Sequence, residues 1–217
     1  MRRASPAPHV FVPLLSALVL GPACGGNLVG EPPVDLPNPE GEEAEGYPEG
    51  PYGGAEGDVL DNMTFAGYFL TGPSATPAHE NDYQERFSLQ DIRDIGGYTH
   101  MLISVAAEWC KPCREEAETL PGLYEDWGAR GGYVLSIISQ DRQYQTAGRT
   151  SVDVWSLQYQ INYSLAHDPE GWVAANFNPS AMPVNMVIDL ETMEVLRSRA
   201  GEDPDTFRYF SSLLAPQ

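Results

Sequence analysis

The chain has 217 residues, a hydrophobic fraction of 42% and a formal net charge of −19. That length and apolar content fill one domain of ordinary size with residues to spare, while so negative a surface repels phosphate and argues against a nucleic-acid partner. The acidity is uneven: residues 31–58 hold nine acids and no base, and no Lys or Arg falls between Arg3 and Arg86, which fits a solvated tail better than a binding surface.

The chain opens on Arg2 and Arg3, followed by an apolar run from Val10 to Leu20 and then small residues. This is the order of a secretory signal, and the run is short for a bilayer span and contains Pro13. Residues 1–23 are therefore expected to be a targeting segment. Cys24, directly after Gly21-Pro22-Ala23, resembles a bacterial lipoprotein processing site. The resemblance implies lipidation of Cys24 and a membrane anchor made of several acyl chains. Gly21 stands where such sites usually carry Leu, so ordinary cleavage nearby, giving a soluble exported protein, is the alternative. Residues 24–57 are rich in Pro, Gly and Glu and show no apolar periodicity. They cannot bury enough surface to offset the entropy of ordering and read as a disordered, extended tether. Residues 58–217 hold the domain.

Within it, residues 63–70 (MTFAGYFL) suggest one or two short strands, and 72–87 a loop. Ser88 is placed to cap a helix over 88–97, with Leu89, Ile92 and Ile95 at helical spacing and glycines to stop it. Residues 100–107 (HMLISVAA) form an apolar run typical of a buried strand, as do 133–139 (YVLSIIS). A helix is expected from Cys110 to about Trp127 and another over 150–161. Residues 164–168 read as a short strand and 170–177 as a short helix. Residues 184–200 form two strands joined by a turn. A last helix starts with Asp203 as N-cap and Pro204 at N1, carrying Phe207, Phe210 and Leu214 on one face. Strands alternating with helices, then a hairpin and a helix, predict an α/β sandwich around a central mixed sheet.

The chemistry concentrates in AEWCKPCREE, residues 107–116. A structural zinc needs four ligands, yet no further cysteine follows and His79, His100 and His167 are scattered. A copper site using the cysteine pair and His167 is a second alternative, and a structural disulfide a third, although closing so short a loop gains little. Redox chemistry accounts for more of the surroundings. A buried strand ends at Ala107 and a helix starts at Cys110, whose free N–H groups favour a thiolate there. Lys111, the chain's sole lysine, adds positive charge. Cys110 is then the exposed nucleophile and Cys113, one helical turn in, the buried resolving thiol. Pro112 fixes the turn without offering a competing donor.

The WCKPC motif after a strand resembles the active site of thioredoxins. GDVLDNMTFAG before the fold, CREE after the cysteines and LAHDPEGWVAANFNPSAMPVNMVID near the end are similar to the exported, membrane-tethered TlpA/ResA-type thiol–disulfide reductases. The resemblance implies a thioredoxin-like fold over about residues 57–215 and a cis bond at Met182-Pro183 facing the cysteines. It implies strand-addition pairing of a substrate with the Met182 backbone and an apolar platform at Trp109, for which core packing is the alternative. Glu116 is expected to take the Cys113 proton, or else to be a solvated helix charge beside Glu115 and Glu118. Ser104 stands where thioredoxins keep a buried Asp, and Pro121 falls one turn later than the usual helix proline. No dissociable cofactor and no metal are implied, because the cysteines carry the electrons themselves. The implied partners are protein disulfides or dithiols and a membrane thiol donor, on the periplasmic face of a bacterial membrane. Two other functions compete. A thiol peroxidase needs a hydroxyl three residues before its cysteine, where this chain has Ala107. A tethered binding module would keep the cysteines as a permanent disulfide.

Overall fold

The computed structural model describes residues 46–177 and 181–216. A seven-stranded mixed sheet runs in the order β2-β1-β5-β4-β3-β6-β7. The strands are β1 (Thr64–Tyr68), β2 (Tyr83–Ser88), β3 (His100–Ala107), β4 (Gly132–Gln140), β5 (Ser164–His167), β6 (Val184–Asp189) and β7 (Val195–Ala200). The helices are α1 (Leu89–Asp94), α2 (Lys111–Ala129), α3 (Arg149–Tyr159), α4 (Trp172–Phe177) and α5 (Pro204–Leu213). β4 is parallel to β3 and β5; the other pairings are antiparallel.

The central strands explain their own composition. β3 and β4 are covered on both faces, so both read as nearly continuous apolar runs. Leu102, Ala106, Val134 and Ile138 join one apolar layer with α2, α3 and α5. Met101, Ile103, Val105, Leu135 and Ile137 join the other, with α1, α4 and residues 60–63. The expected mixed α/β sheet with helices on both faces is therefore what the chain builds.

Local signals set most helix starts. Ser88 and Asp91 form a reciprocal capping box at α1, which ends at Asp94, short of the glycines expected to stop it. Asp203 accepts from Asp205 N at α5, with Pro204 in the first turn. Pro121 sits inside α2, and the helix runs through it.

Two expectations need correction. The segment 72–87, expected to be a loop, contains a 3-10 turn (Ala78–Glu80) and most of β2. β2 is an edge strand whose Gln84, Glu85 and Arg86 are exposed, so it lacks the apolar alternation that marks a strand. Residues 46–57, assigned by composition to the tether, pack on the domain. Gly57 N donates to Val195 O and Val195 N to Asp58 O. Glu56 accepts from Ser198 N and pairs with Arg199. These bonds cover the free edge of β7, so the folded region begins before Asp58. The expected signal, Cys24 and tether residues 24–45 lie outside the described residues.

At Gly67 β1 lies so close to β5 that a Cβ would sit 2.6 Å from Ala166 Cα and on top of Leu165 O, whereas a Cβ on Gly122 of α2 would meet nothing within 4 Å. Gly67→Ala is expected to destabilise the protein by about 2 kcal/mol. Gly122→Ala should stabilise it by roughly 0.5–1 kcal/mol. Urea denaturation of the two variants checks both signs.

Candidate functional site

β3 ends at Ala107, and one turn later the chain enters α2. Cys110 N donates to Ala107 O, and Glu108 N to Gln140 O at the end of β4. Cys110 is the N-cap of α2, and its Sγ accepts from Cys113 N at 3.2 Å. Pro112 occupies the first turn, where its missing N–H leaves no helical bond unmade. The two sulfurs are joined as a disulfide.

The pair is less accessible than expected. Cys110, predicted to be exposed, is 3% accessible, close to the 2% of Cys113. Its Sγ is turned inward to Cys113, and the partly buried Trp109 and Met182 pack against the same cluster. Lys111 is exposed and forms a 2.6 Å ion pair with Glu115, so its ammonium is engaged with a carboxylate on its own helix.

The sheet register assembles the rest of the site. Val105 pairs with Val184, which brings Pro183 to the end of the sheet where α2 begins. The Met182–Pro183 bond is cis, as expected, and Pro183 O accepts from Gly201 N. Trp109 takes the core-packing role that stood as its alternative. It packs against the core, its Nε1 donates to Gln140 Oε1 at 2.9 Å, and its indole stacks on Tyr144 at 5.0 Å. Tyr144 is 64% exposed and has a left-handed backbone (φ 61).

Glu116 lies one turn beyond Cys113 on α2, on the same helix face. Unlike the exposed Glu115 and Glu118, it is partly buried. Both of its oxygens accept from Asn185 Nδ2, at 3.0 and 3.1 Å. Burial pushes its carboxyl up to about 7; Asn185 holds it down and the nearby Glu202 charge adds to the rise. A solvated helix charge does not describe this group. Asn185 was not anticipated from the sequence. The available signal was one polar residue within the apolar stretch VNMVID, alternating with Val184, Met186 and Ile188, which are buried in the opposite apolar layer.

Among the described residues no three His, Cys, Asp or Glu side chains gather where they could hold a metal. His167, the residue considered for copper, has its Nε2 2.8 Å from Tyr83 OH.

A disulfide-bonded CxxC at a helix start, beside a cis-proline loop on a mixed sheet, defines a thioredoxin-like domain. The AhpC/TSA family matches residues 72–195, over half of the chain, and the protein belongs to that family. The thioredoxin-like protein YneN of Bacillus subtilis (strain 168) is 23% identical over 105 residues, 48% of this chain and 56% of that protein. The match thus spans little more than half of that relative's length. Two solved structures share the fold. A candidate thiol:disulfide interchange protein DsbE from Chlorobium tepidum superposes with a TM-score of 0.52 at 18% identity, covering 73% of this chain and 94% of that one. The thioredoxin domain of a thiol-disulfide oxidoreductase from Bacteroides vulgatus gives 0.53 at 13% identity, covering 74% and 98%.

The raised Glu116 carboxyl fixes a pH dependence of stability. Its reference value is 4.5 and its folded value about 7, so the fold favours the neutral acid. Folding carries no penalty from this group below its unfolded pKa. The penalty grows as pH rises through the interval and is complete above the folded value. Glu116→Gln is expected to stabilise the oxidised protein at pH 8 by on the order of 2 kcal/mol, discounted for partial solvent screening, and to leave it nearly unchanged at about pH 4.5. Urea denaturation at the two pH values measures the difference.

Proposed function

We propose that this protein is a thiol–disulfide oxidoreductase that works outside the cytoplasm as a reductant of disulfides in exported proteins. The observation that carries this reading is the Cys110–Cys113 disulfide on the first turn of α2, with Cys110 Sγ at the N-cap accepting a backbone N–H. A helix N-terminus stabilises negative charge, which favours the thiolate of Cys110 once the pair is reduced.

In the proposed cycle the Cys110 thiolate attacks one sulfur of a substrate disulfide. A Cys110–substrate bond forms, the substrate S–S bond breaks, and the leaving thiolate is protonated by solvent. Glu116 in its ionised form, whose oxygens accept from Asn185 Nδ2, then takes the proton from Cys113. The Cys113 thiolate attacks Cys110 Sγ, releases the second substrate thiolate and restores the intramolecular disulfide. Two electrons pass from the dithiol to the substrate, and the dithiol of a membrane donor must return them. Trp109 and the Met182-Pro183 loop flank the pair, where an extended substrate would pair with the Met182 backbone. Pro112 shapes the turn, and Lys111 stands exposed at its rim. Lipidation of Cys24 would hold the domain at the periplasmic face of a membrane. None of the described helices is long and apolar enough to cross one.

Two observations bear on the competing readings. A thiol peroxidase lacks its required hydroxyl, since the residue three before Cys110 is the fully buried Ala107. The low exposure of Cys110 supports a permanent structural disulfide.

Cys113→Ser, expressed with the whole chain in an exporting bacterium, is expected to accumulate mixed disulfides through Cys110 that dithiothreitol releases. Cys110→Ser should accumulate none. Absence of adducts together with resistance of Cys110 to alkylation after mild reduction would assign the pair to structure. Rapid peroxide turnover with a thiol donor would assign it to peroxidase chemistry.

A further inference from the structure

The face of the sheet beneath α2 carries a polar seam. Ser104 on β3 pairs in register with Ser136 on β4 and with Asn185 on β6. By strand alternation the three share the side of Leu102, Val134 and Val187, which pack in the layer containing both cysteines. Their exposures are 3%, 3% and 0%. Ser136 Oγ also reaches Tyr163 OH, at 3.5 Å.

Asn185 has an unbalanced set of bonds. Its Nδ2 serves both oxygens of Glu116. Its Oδ1 is buried with no partner. A buried acceptor left idle raises the free energy of the arrangement containing it. A primary amide and a neutral carboxylic acid complement each other on both edges, N–H to C=O and O–H to amide oxygen. A carboxylate instead takes the amide hydrogens and gives the oxygen nothing. The observed pairing, Nδ2 to both oxygens, is the one that suits the charged form, and the idle oxygen is the atom the neutral form would use.

We propose that Asn185 is a positioning residue for Glu116, and that its amide changes partners with the proton on that carboxyl. With Glu116 charged, Nδ2 donates to both oxygens. With Glu116 neutral, Nδ2 keeps one bond and Oδ1 accepts the new O–H. In the exchange reaction the Cys113 S–H bond breaks, a Glu116 O–H bond forms and points to Asn185 Oδ1, and no electron moves. The role rests on the oxidoreductase reading for its purpose, while the change of partners needs only the two side chains. The other groups facing Glu116 are Cys113 from the preceding turn of α2, Glu202 between β7 and α5, and Tyr163 ahead of β5. Glu202 favours the neutral acid and Asn185 the charged one.

The test follows the Glu116 carboxyl carbon and the Asn185 side-chain amide by NMR in the oxidised full chain, between about pH 5 and about pH 9, where the cysteines do not titrate. Glu116→Gln assigns the carboxyl signal. The two signals are expected to share one midpoint. In Asn185→Leu the carboxyl midpoint should rise by about one unit or more, and in Asn185→Thr, which keeps a donor, by less. In the reduced protein the acidic limb of the disulfide-exchange rate should shift upward with it. An Asn185 amide that ignores the Glu116 titration overturns the proposal in the unmodified protein, whatever the variants do. A midpoint in Asn185→Leu within about 0.3 unit of the parent also overturns it. Failure of the oxidoreductase reading has a different signature: both NMR titrations as expected, with no exchange turnover in the unmodified protein.

Discussion

The turn joining β3 to α2 is the constraint on which the site depends. Cys110 must be both the last extended residue and the cap of the helix. Its Sγ then lies over the free N–H groups of the first turn and accepts from Cys113 N. Charge near a helix N-terminus gains about 0.3–1 kcal/mol at an exposed position and up to about 2 when partly buried. Each helical step rotates a side chain by about 100°, so a helix starting one residue later would turn the sulfur away from those donors. Registers of β3 with β4 and β6 supply the neighbours. One brings Gln140 to Trp109, and the other brings Pro183 to the end of the sheet that bears the cysteines.

The same face carries a cost. A carboxyl on α2 meets an amide of β6 beside the buried Ser104 and Ser136, and the amide oxygen is unpaired. Domain stability is a small difference between large terms, about 5–15 kcal/mol. A group whose ionisation is set near neutral pH by burial therefore takes a visible share of it. Local rules of packing tend to be broken where a protein does its chemistry. The break here falls one helical turn from Cys113, the thiol that the proposed cycle deprotonates.

The edges of the sheet are handled differently. Residues 56–58 bond to Val195 and Ser198 of β7 and cover part of its free edge. β2 stays open but exposes Gln84, Glu85 and Arg86 along its length, which discourages pairing with another chain.

Features written in short stretches were legible before any folding was considered. The apolar runs of β3 and β4, the caps Ser88 and Asp203, the helix start at Cys110 and the proline ahead of β6 all rest on backbone rules spanning a few residues. β2 was not legible, because an edge strand buries almost nothing and so leaves no alternating pattern. Nor was the docking of residues 46–57, whose Pro-Gly-Glu composition lacks a core signal and which are held by backbone bonds to a strand far along the chain. The sequence by itself determined a two-cysteine centre at a helix start within a mixed α/β sheet. Tertiary structure alone decided that Cys110 is covered, that Trp109 stacks on Tyr144, and that Glu116 meets Asn185, 69 positions away. Burial and pairing at that distance are set by strand register, which no local window of sequence contains.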